Sequence, residues 1–370
     1  MASAEDAPSS SVQTENATIA PAATVKTTGL RRREDMTHPT GPTVRCNVGP
    51  SRPHRGRARP VVAPVVCSGL PCGGTAMTDK TRATSIPELH ARLGQAFGAP
   101  EHGEPYRPRP TDVIISPFGK CGTTWLQQTF HTLRTRGDMD FDDISRVVPW
   151  IETSRRLGLD LNAEQRAEPR GFKSHMAWDE VPKGARYIVS VRDPRDAVVS
   201  LHRFMEGWFL EPGAVEVDEF AQQNFMRGPA KRYWHHLISW WEQRDNPDVL
   251  LLAYEHMLKH PEAAIRRVAG FCGIALDDEL LELTLHHTSL EFMLAHKDRF
   301  DDFLMRGLSE RVAGIPPGSD SAKVREGRAG SHRNVLGAAV LEEMDGIWQQ
   351  EVTSRYGFVT YDEMIATLEP

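Results

Sequence analysis

Apolar residues in this chain recur in two rhythms. Short runs of strand length end at Val113-Ile114-Ile115 and cover Ala185 to Val191 and Asp248 to Tyr254. Between them the apolar positions take helical spacing, as in Leu126, Thr129, Phe130 and Leu133 after the first run and Tyr233 to Trp241 before the last. Gly171 to Met176 alternates Phe172, Ser174 and Met176 against Lys173 and His175, a short strand with its two basic residues on one face, about 7 Å apart. Alternation of strands and helices from residue 111 onward predicts an α/β fold, a single domain over 78–370 with a central parallel sheet flanked by helices. Segments 203–229 and 291–322 follow neither period and read as lids or binding loops beside a site. Trp150, Trp178, Phe204, Trp208 and Phe209 are candidates to line an apolar pocket there, although aromatics in such loops more often just pin them to the core.

Residues 1–77 break the pattern. Ser, Thr, Ala and Pro dominate early and eight Arg follow between Arg31 and Arg59, so this is a disordered, basic, low-complexity extension. A transit peptide, a basic arm, and an upstream stretch before a true start at Met77 all fit it. The extension carries +4, which leaves −10 on the rest of a chain whose total is −6. A body that acidic is not a general nucleic-acid binder, and any cations that grip a polyanion must be clustered locally. No run of 18 apolar residues exists, which excludes a membrane-spanning helix. The five Cys form neither a disulfide framework nor a paired metal spacing, so a reducing, cytoplasmic setting is expected and no metal is.

The chemistry concentrates in a few segments. Ser116-Pro117-Phe118-Gly119-Lys120-Cys121-Gly122-Thr123-Thr124-Trp125 joins a strand to a helix, where unpaired backbone N–H groups and the helix dipole favour an anion. Lys120 adds charge, and Thr123 and Thr124 add hydroxyl donors, which suits a phosphate or another tetrahedral oxyanion. An ordinary turn would satisfy the same pattern. Lys120 precedes Gly-Thr-Thr, the reverse of the Gly-Lys-[Ser/Thr] order of nucleotide triphosphatase loops. A second anion site is expected where the strand ending at Val191 runs into Arg192-Asp193-Pro194, with Ser200 about two turns into the next helix. A surface ion pair of Arg192 with Asp193 is the plainer alternative. His175, beside Lys173 and near the phosphate loop, is suited to accept a proton, or is simply packed.

These segments resemble, in order, the motifs of the cytosolic-type sulfotransferases, which use 3′-phosphoadenosine 5′-phosphosulfate (PAPS). Lys120 to Trp125 is similar to the family's Lys-Ser-Gly-Thr-Thr-Trp loop with Cys121 in place of Ser, and Arg192 to Ser200 matches Arg-[Asn/Asp]-Pro-x-Asp-x-x-x-Ser. Lys173-Ser174-His175 matches Lys-[Thr/Ser]-His, and Lys323 to Asn334 resembles the loop that closes over the 3′-phosphate, matching at Arg325 and Gly327 but with Glu326 for Lys and His332 for Trp. The resemblance covers roughly residues 95–360 and implies a P-loop-like fold that transfers sulfonate to a small-molecule acceptor without metal. It implies His175 as base, with Lys120 and Lys173 assisting transfer. Lys120, Cys121, Gly122, Thr123, Thr124, Trp125, Arg192, Ser200, Tyr254, Thr288, Arg325 and Gly327 would bind the nucleotide, and Ser200 would park the Lys120 side chain. The stacking Phe of the family is Leu290 here, which leaves Trp125 to stack on the base or to anchor the core. Glu326 would point to solvent and Arg328 would supply the missing charge. The family's dimer motif falls at Arg333 to Glu342 with Gly337 and Ala338 replacing Thr-Val, so a homodimer stays open. A P-loop kinase and a catalytically silent nucleotide-binding protein are the competing functions. Cys121, at a helix N-terminus beside Lys120, is expected to have a lowered pKa and to react with alkylators, the alternative being a thiol packed inert under the loop.

Overall fold

The structure, a computed structural model, describes residues 81–98, 101–227, 232–319, 321 and 323–369, so the expected extension over 1–77 lies outside the described residues. Strands β1 (Val113–Ile115), β2 (Gly171–Lys173), β3 (Arg186–Val191) and β4 (Val249–Ala253) form one parallel sheet in the order β2-β1-β3-β4. Val113 pairs with Gly171 on one side and Arg186 on the other, and Ile188 pairs with Leu250. The chain leaves β1 for its β2 neighbour and later returns to the opposite side of β1 as β3. The crevice between the carboxyl ends of β1 and β3 is therefore the switch point at which open α/β sheets bind ligands.

Both faces of the sheet are covered, which is why its strands read as continuous apolar runs. Ile114, Phe172, Tyr187, Val189 and Leu251 contribute to one buried cluster, and Val113, Ile115, Ile188, Leu250 and Leu252 to another. Helix α1 spans Ile86–Phe97, and helix α2, Thr123–Thr135, follows β1 and buries Leu126, Phe130 and Leu133. A side chain at Gly171 would stand 2.1 Å from the Phe130 ring, so α2 reaches this depth against β2 only because that position is glycine. At the amino edge Asp112 and Arg170, both fully buried, form a bidentate pair at 2.9 and 2.6 Å, and Asp112 also accepts from the Tyr106 hydroxyl and the Arg109 N–H.

The two segments read as loops are largely helical. The helix begun at Pro194 runs to Trp208, and short helical turns fill Val217–Phe220 and Ala221–Met226. In the second segment Leu290–Ala295, Lys297–Phe300 and Phe303–Ala313 are helical. Each piece is too short, or too irregular in pitch, to show a sustained period of 3.6 in sequence. Gly337, inside the degenerate dimer motif, precedes the helix Ala338–Trp348, and its N–H donates to Asp218 Oδ1 at 3.0 Å.

Candidate functional site

The loop between β1 and α2 turns through left-handed backbone twice, at Lys120 (φ +70°) and at Gly122 (φ +97°). The turn is closed by the Cys121 N–H donating to the Phe118 carbonyl at 3.1 Å, and α2 starts at Thr123 with its first N–H groups free of intrahelical partners. At Gly122 an added Cβ would lie 3.0 Å from the Tyr254 ring, a second reason for glycine there. Arg192, at the end of β3, donates from Nη1 to the Lys120 carbonyl at 2.9 Å and from Nη2 to the Arg328 carbonyl at 3.1 Å, and its guanidinium lies 4.5 Å from the Tyr254 ring centre. Thr123 Oγ1 and Arg192 Nε are both buried without a hydrogen-bond partner among the described residues. Unpartnered donors beside a helix N-terminus and a cluster of cations fit a bound phosphate or sulfate group.

Asp193 caps the following helix, accepting from Arg195 N, and its carboxylate pairs with the Arg195 side chain rather than with Arg192. Ser200 lies on that helix, buried. Lys120 donates to the Lys323 carbonyl at 3.3 Å and sits 4.6 Å over the Phe204 ring, so its resting place is the Lys323 loop and not Ser200. Burial, with Lys323, Arg325, Arg192 and Lys173 nearby, lowers its pKa to about 7.

The loop that carries Arg325 and Gly327 folds back over this crevice. Asp196 holds it, accepting from Gly330 N, Ser331 Oγ, His332 N and His332 Nδ1. Glu326 pairs with Arg328 and Arg203, which neutralises the misplaced carboxylate and also engages the Arg328 side chain. Gly327 packs against Leu290, an exposed residue at the start of the helix Leu290–Ala295. Trp125 Nε1 donates to the Thr288 carbonyl at 3.1 Å, which joins two of the expected nucleotide residues, while the Thr288 hydroxyl is spent on Thr284.

Lys173 ends β2 buried, 4.0 Å over the Trp150 ring. Its ammonium is 2.8 Å from Asp302, which also pairs with Lys323 and accepts from the Ser145 hydroxyl. Burial pushes the Asp302 carboxyl up, but the two lysines outweigh it and hold it well below the usual range. His175 lies just beyond β2 with its Nδ1 2.7 Å from the Pro117 carbonyl and its own N–H donating to Glu152 at 2.7 Å. A carbonyl only accepts, so Nδ1 carries the proton and Nε2 the lone pair. Burial, and then Lys173, lowers the imidazole pKa to about 3, which keeps it neutral at any physiological pH. It lines a cavity of about 240 Å³. Among the described residues no three His, Cys, Asp or Glu side chains cluster as a metal site, and no helix is long and apolar enough to cross a membrane.

The structure also decides the work of the aromatics and of Cys121. The five aromatics do not line this cavity: Trp150 and Phe204 lie under Lys173 and Lys120, Trp178 packs on Tyr187 and Trp240, and Trp208 and Phe209 are core residues. Its walls come instead from Leu93, Leu201, Met205 and His236, on three helices distant in sequence, and from Phe118 in the loop after β1. Cys121 is not a lowered-pKa thiol. It is fully buried under the loop, and burial pushes its pKa up to about 12 in spite of Arg192 and Lys120. Sequence reasoning also missed Asp302, whose neighbours Lys173 and Ser145 lie more than a hundred residues away and leave no local signal.

A profile of the sulfotransferase domain family matches residues 110–366. Sulfotransferase 1B1 of Canis lupus familiaris is 28% identical over 267 residues, 68% of this chain and 87% of the relative. Sulfotransferase 1E1 of Bos taurus is 28% identical over 292 residues, 73% of this chain and 96% of the relative. Among solved structures, a retinol dehydratase in complex with androsterone and the inactive cofactor PAP superposes with a TM-score of 0.55 at 20% identity, covering 75% of this chain and 97% of that one. The mouse sulfotransferase SULT7A1 complexed with PAP gives 0.51 at 17% identity, covering 76% and 93%. The profile spans the crevice, the His175 strand and the closing loop together, and on that match the chain belongs to the sulfotransferase family.

Proposed function

We propose that this protein transfers sulfonate from PAPS to a hydroxyl or amine of a small molecule, with His175 as the general base. The observation that carries the reading is the meeting of a neutral imidazole, with its Nε2 lone pair, and two lysines on aromatic faces beside a cavity at the switch point. PAPS, when bound, supplies the activated sulfonate and leaves as 3′,5′-ADP. The residues fit it: Thr123 Oγ1 and Arg192 Nε need partners, Arg325 and Gly327 belong to the loop that Asp196 holds over the crevice, and the helix N-terminus favours the phosphate. The Cys121 N–H is taken by the Phe118 carbonyl, so the N–H groups that open α2 at Thr123 and Thr124 would face that phosphate, with Trp125, Ser200, Tyr254 and Thr288 completing the nucleotide side.

His175 takes the acceptor proton on Nε2 while the Pro117 carbonyl keeps the ring in one tautomer and one orientation. Lys120 and Lys173 balance the negative charge that moves toward the leaving oxygen, by position and electrostatics rather than by bonding. Dispersed in water these cations would be hydrated and far weaker. We place the reaction in the cytoplasm, since Cys121 and Cys272 are free thiols, the usage of a reducing compartment.

A mass-detected transfer screen with PAPS and mixed acceptors tests the reading. His175→Ala should lower kcat by about a hundred- to ten-thousand-fold while 3′,5′-ADP affinity stays within a few fold. Nucleotide binding with no turnover over a broad panel would leave a silent binding protein instead.

A further inference from the structure

Three histidines line the cavity, His90, His175 and His236; His90 is paired with Asn224, His175 is taken by proton removal, and His236 has no assigned work. His236, on the helix Arg232–Trp241, places Nε2 3.0 Å from the Ser116 carbonyl, as His175 places Nδ1 2.7 Å from the next carbonyl, Pro117. The same argument applies to both rings: the carbonyl accepts, so the nitrogen facing it carries the proton and the opposite nitrogen carries a lone pair. For His236 that nitrogen is Nδ1. Burial lowers its pKa to about 3, so this lone pair is not lost to protonation near neutral pH.

The rest of the cavity offers Nδ1 nothing. Leu93, Phe118, Ala177, Leu201 and Met205 are apolar, and Phe118 meets the His236 ring edge-on at 5.7 Å. Of the other polar residues of the wall, His90 Nε2 lies 2.9 Å from Asn224 Oδ1, and Glu180 pairs with Arg232. Among the described residues Nδ1 of His236 accepts no hydrogen bond. An acceptor in the cavity wall that a ligand covers without donating to it disfavours that ligand, by about tenfold to a hundredfold. Sites built to pair with a ligand's O–H reject analogues that lack it far better than apolar walls reject extra carbons.

We propose that His236 is a specificity-determining residue that accepts a hydrogen bond from a second hydroxyl or N–H of the acceptor, so that the enzyme selects compact molecules with two donors, such as dihydroxyarenes and small vicinal diols. The proposal rests on the sulfotransferase reading of the His175 cavity. Size agrees with it, since 240 Å³ is below the range of about 300–1,000 Å³ that holds drug-sized ligands and admits a single substituted ring. One donor goes to His175 and is sulfonated, and the other goes to His236 and is kept.

The test measures kcat/KM for transfer from PAPS to matched acceptors: catechol and resorcinol, each against its own monomethyl ether and against phenol, and vicinal cyclohexanediol against cyclohexanol. Wild type should prefer the two-donor member of a set by about tenfold or more. His236→Phe keeps the ring contacts but has no lone pair, and the ratio should fall toward one. His236→Gln can still donate to Ser116 and accept from the ligand, and should keep part of the preference, which also serves if the Phe variant fails to fold. No preference in wild type, or an unchanged ratio in His236→Phe, overturns the proposal. Failure of wild type to sulfonate any compound while binding 3′,5′-ADP overturns the parent reading of the cavity and is distinct from a lost preference.

Discussion

Two buried carboxylates stand at opposite edges of the same sheet, and they are used differently. Asp112, at the amino edge, faces one guanidinium in a bidentate pair and fills its remaining capacity with the Tyr106 hydroxyl and the Arg109 N–H. Asp302, near the carboxyl end of β2, faces two ammonium groups, and its neighbour Asp143 is pushed up to about 6 by burial and by Asp302 itself. Lys120, Arg192 and Arg325 lie in the same neighbourhood, as their mutual effect on Lys120 records. A balanced buried pair is structural. At the other edge Asp302 and Asp143 together face Lys173 and Lys323, and the surplus comes from Lys120, Arg192 and Arg325, positive charge that is tolerable where an anion binds.

The contrast can be broken first at its structural end. Asp112→Ala strands the buried Arg170 and should destabilise the protein by about 3–5 kcal/mol in denaturant unfolding, with saturating 3′,5′-ADP restoring no more than it adds to wild type. Asp302→Asn should cost less, about 1.5–3 kcal/mol, because the amide keeps the shape and loses only charge-assisted bonds. Its signature is that 3′,5′-ADP or sulfate raises the Tm of this variant more than that of wild type, since the lysines have lost their counter-charge. Equal ligand effects in the two would mean that Asp302 is another Asp112.

Proton uptake sharpens the comparison further. Lys120 is held at about 7 against an ordinary 10.5, so between those values the unfolded chain binds more protons than the folded one, and this group's contribution to stability rises with pH over that window. A polyanion beside Lys120 raises its pKa again. Binding of 3′,5′-ADP at pH 8 should therefore take up most of a proton, seen by calorimetry in buffers of different ionisation enthalpy, and affinity should fall as pH rises from 7 toward 10. Lys120→Met should abolish the uptake. The smallest effect is expected at Cys121: wild type should keep its activity through iodoacetamide treatment, and Cys121→Ser should match it within a few fold, because the thiol is covered and protonated.

The donor half of the site was legible because its parts are contiguous. Strand, loop and helix N-terminus fall within Val113 to Trp125, and Arg192 follows its strand directly, so local pattern and ordered motifs place them at the switch point. The acceptor half is assembled across the chain. Leu93, Met205 and His236 sit on three separate helices and meet Phe118 only through packing, which no local period announces. Cys121 was misread for a related reason. Lysine proximity and a helix terminus are visible in sequence, whereas the burial that outweighs them is not. Of the two roles open to the aromatics, Trp178, Trp208 and Phe209 take the packing one, and Trp150 and Phe204 lie under the two lysines, which no pattern announced.

The grip of Asp196 on the closing loop has a consequence in time. Four donors from three consecutive residues, Gly330 to His332, converge on one carboxylate, so they form and fail as a set rather than one by one. A loop held in this way would open as a unit, once the Arg192 bond to the Arg328 carbonyl is also lost. A spent nucleotide beneath it waits for the rare release, and the tempo of the catalytic cycle would be set by that unlatching rather than by the transfer step.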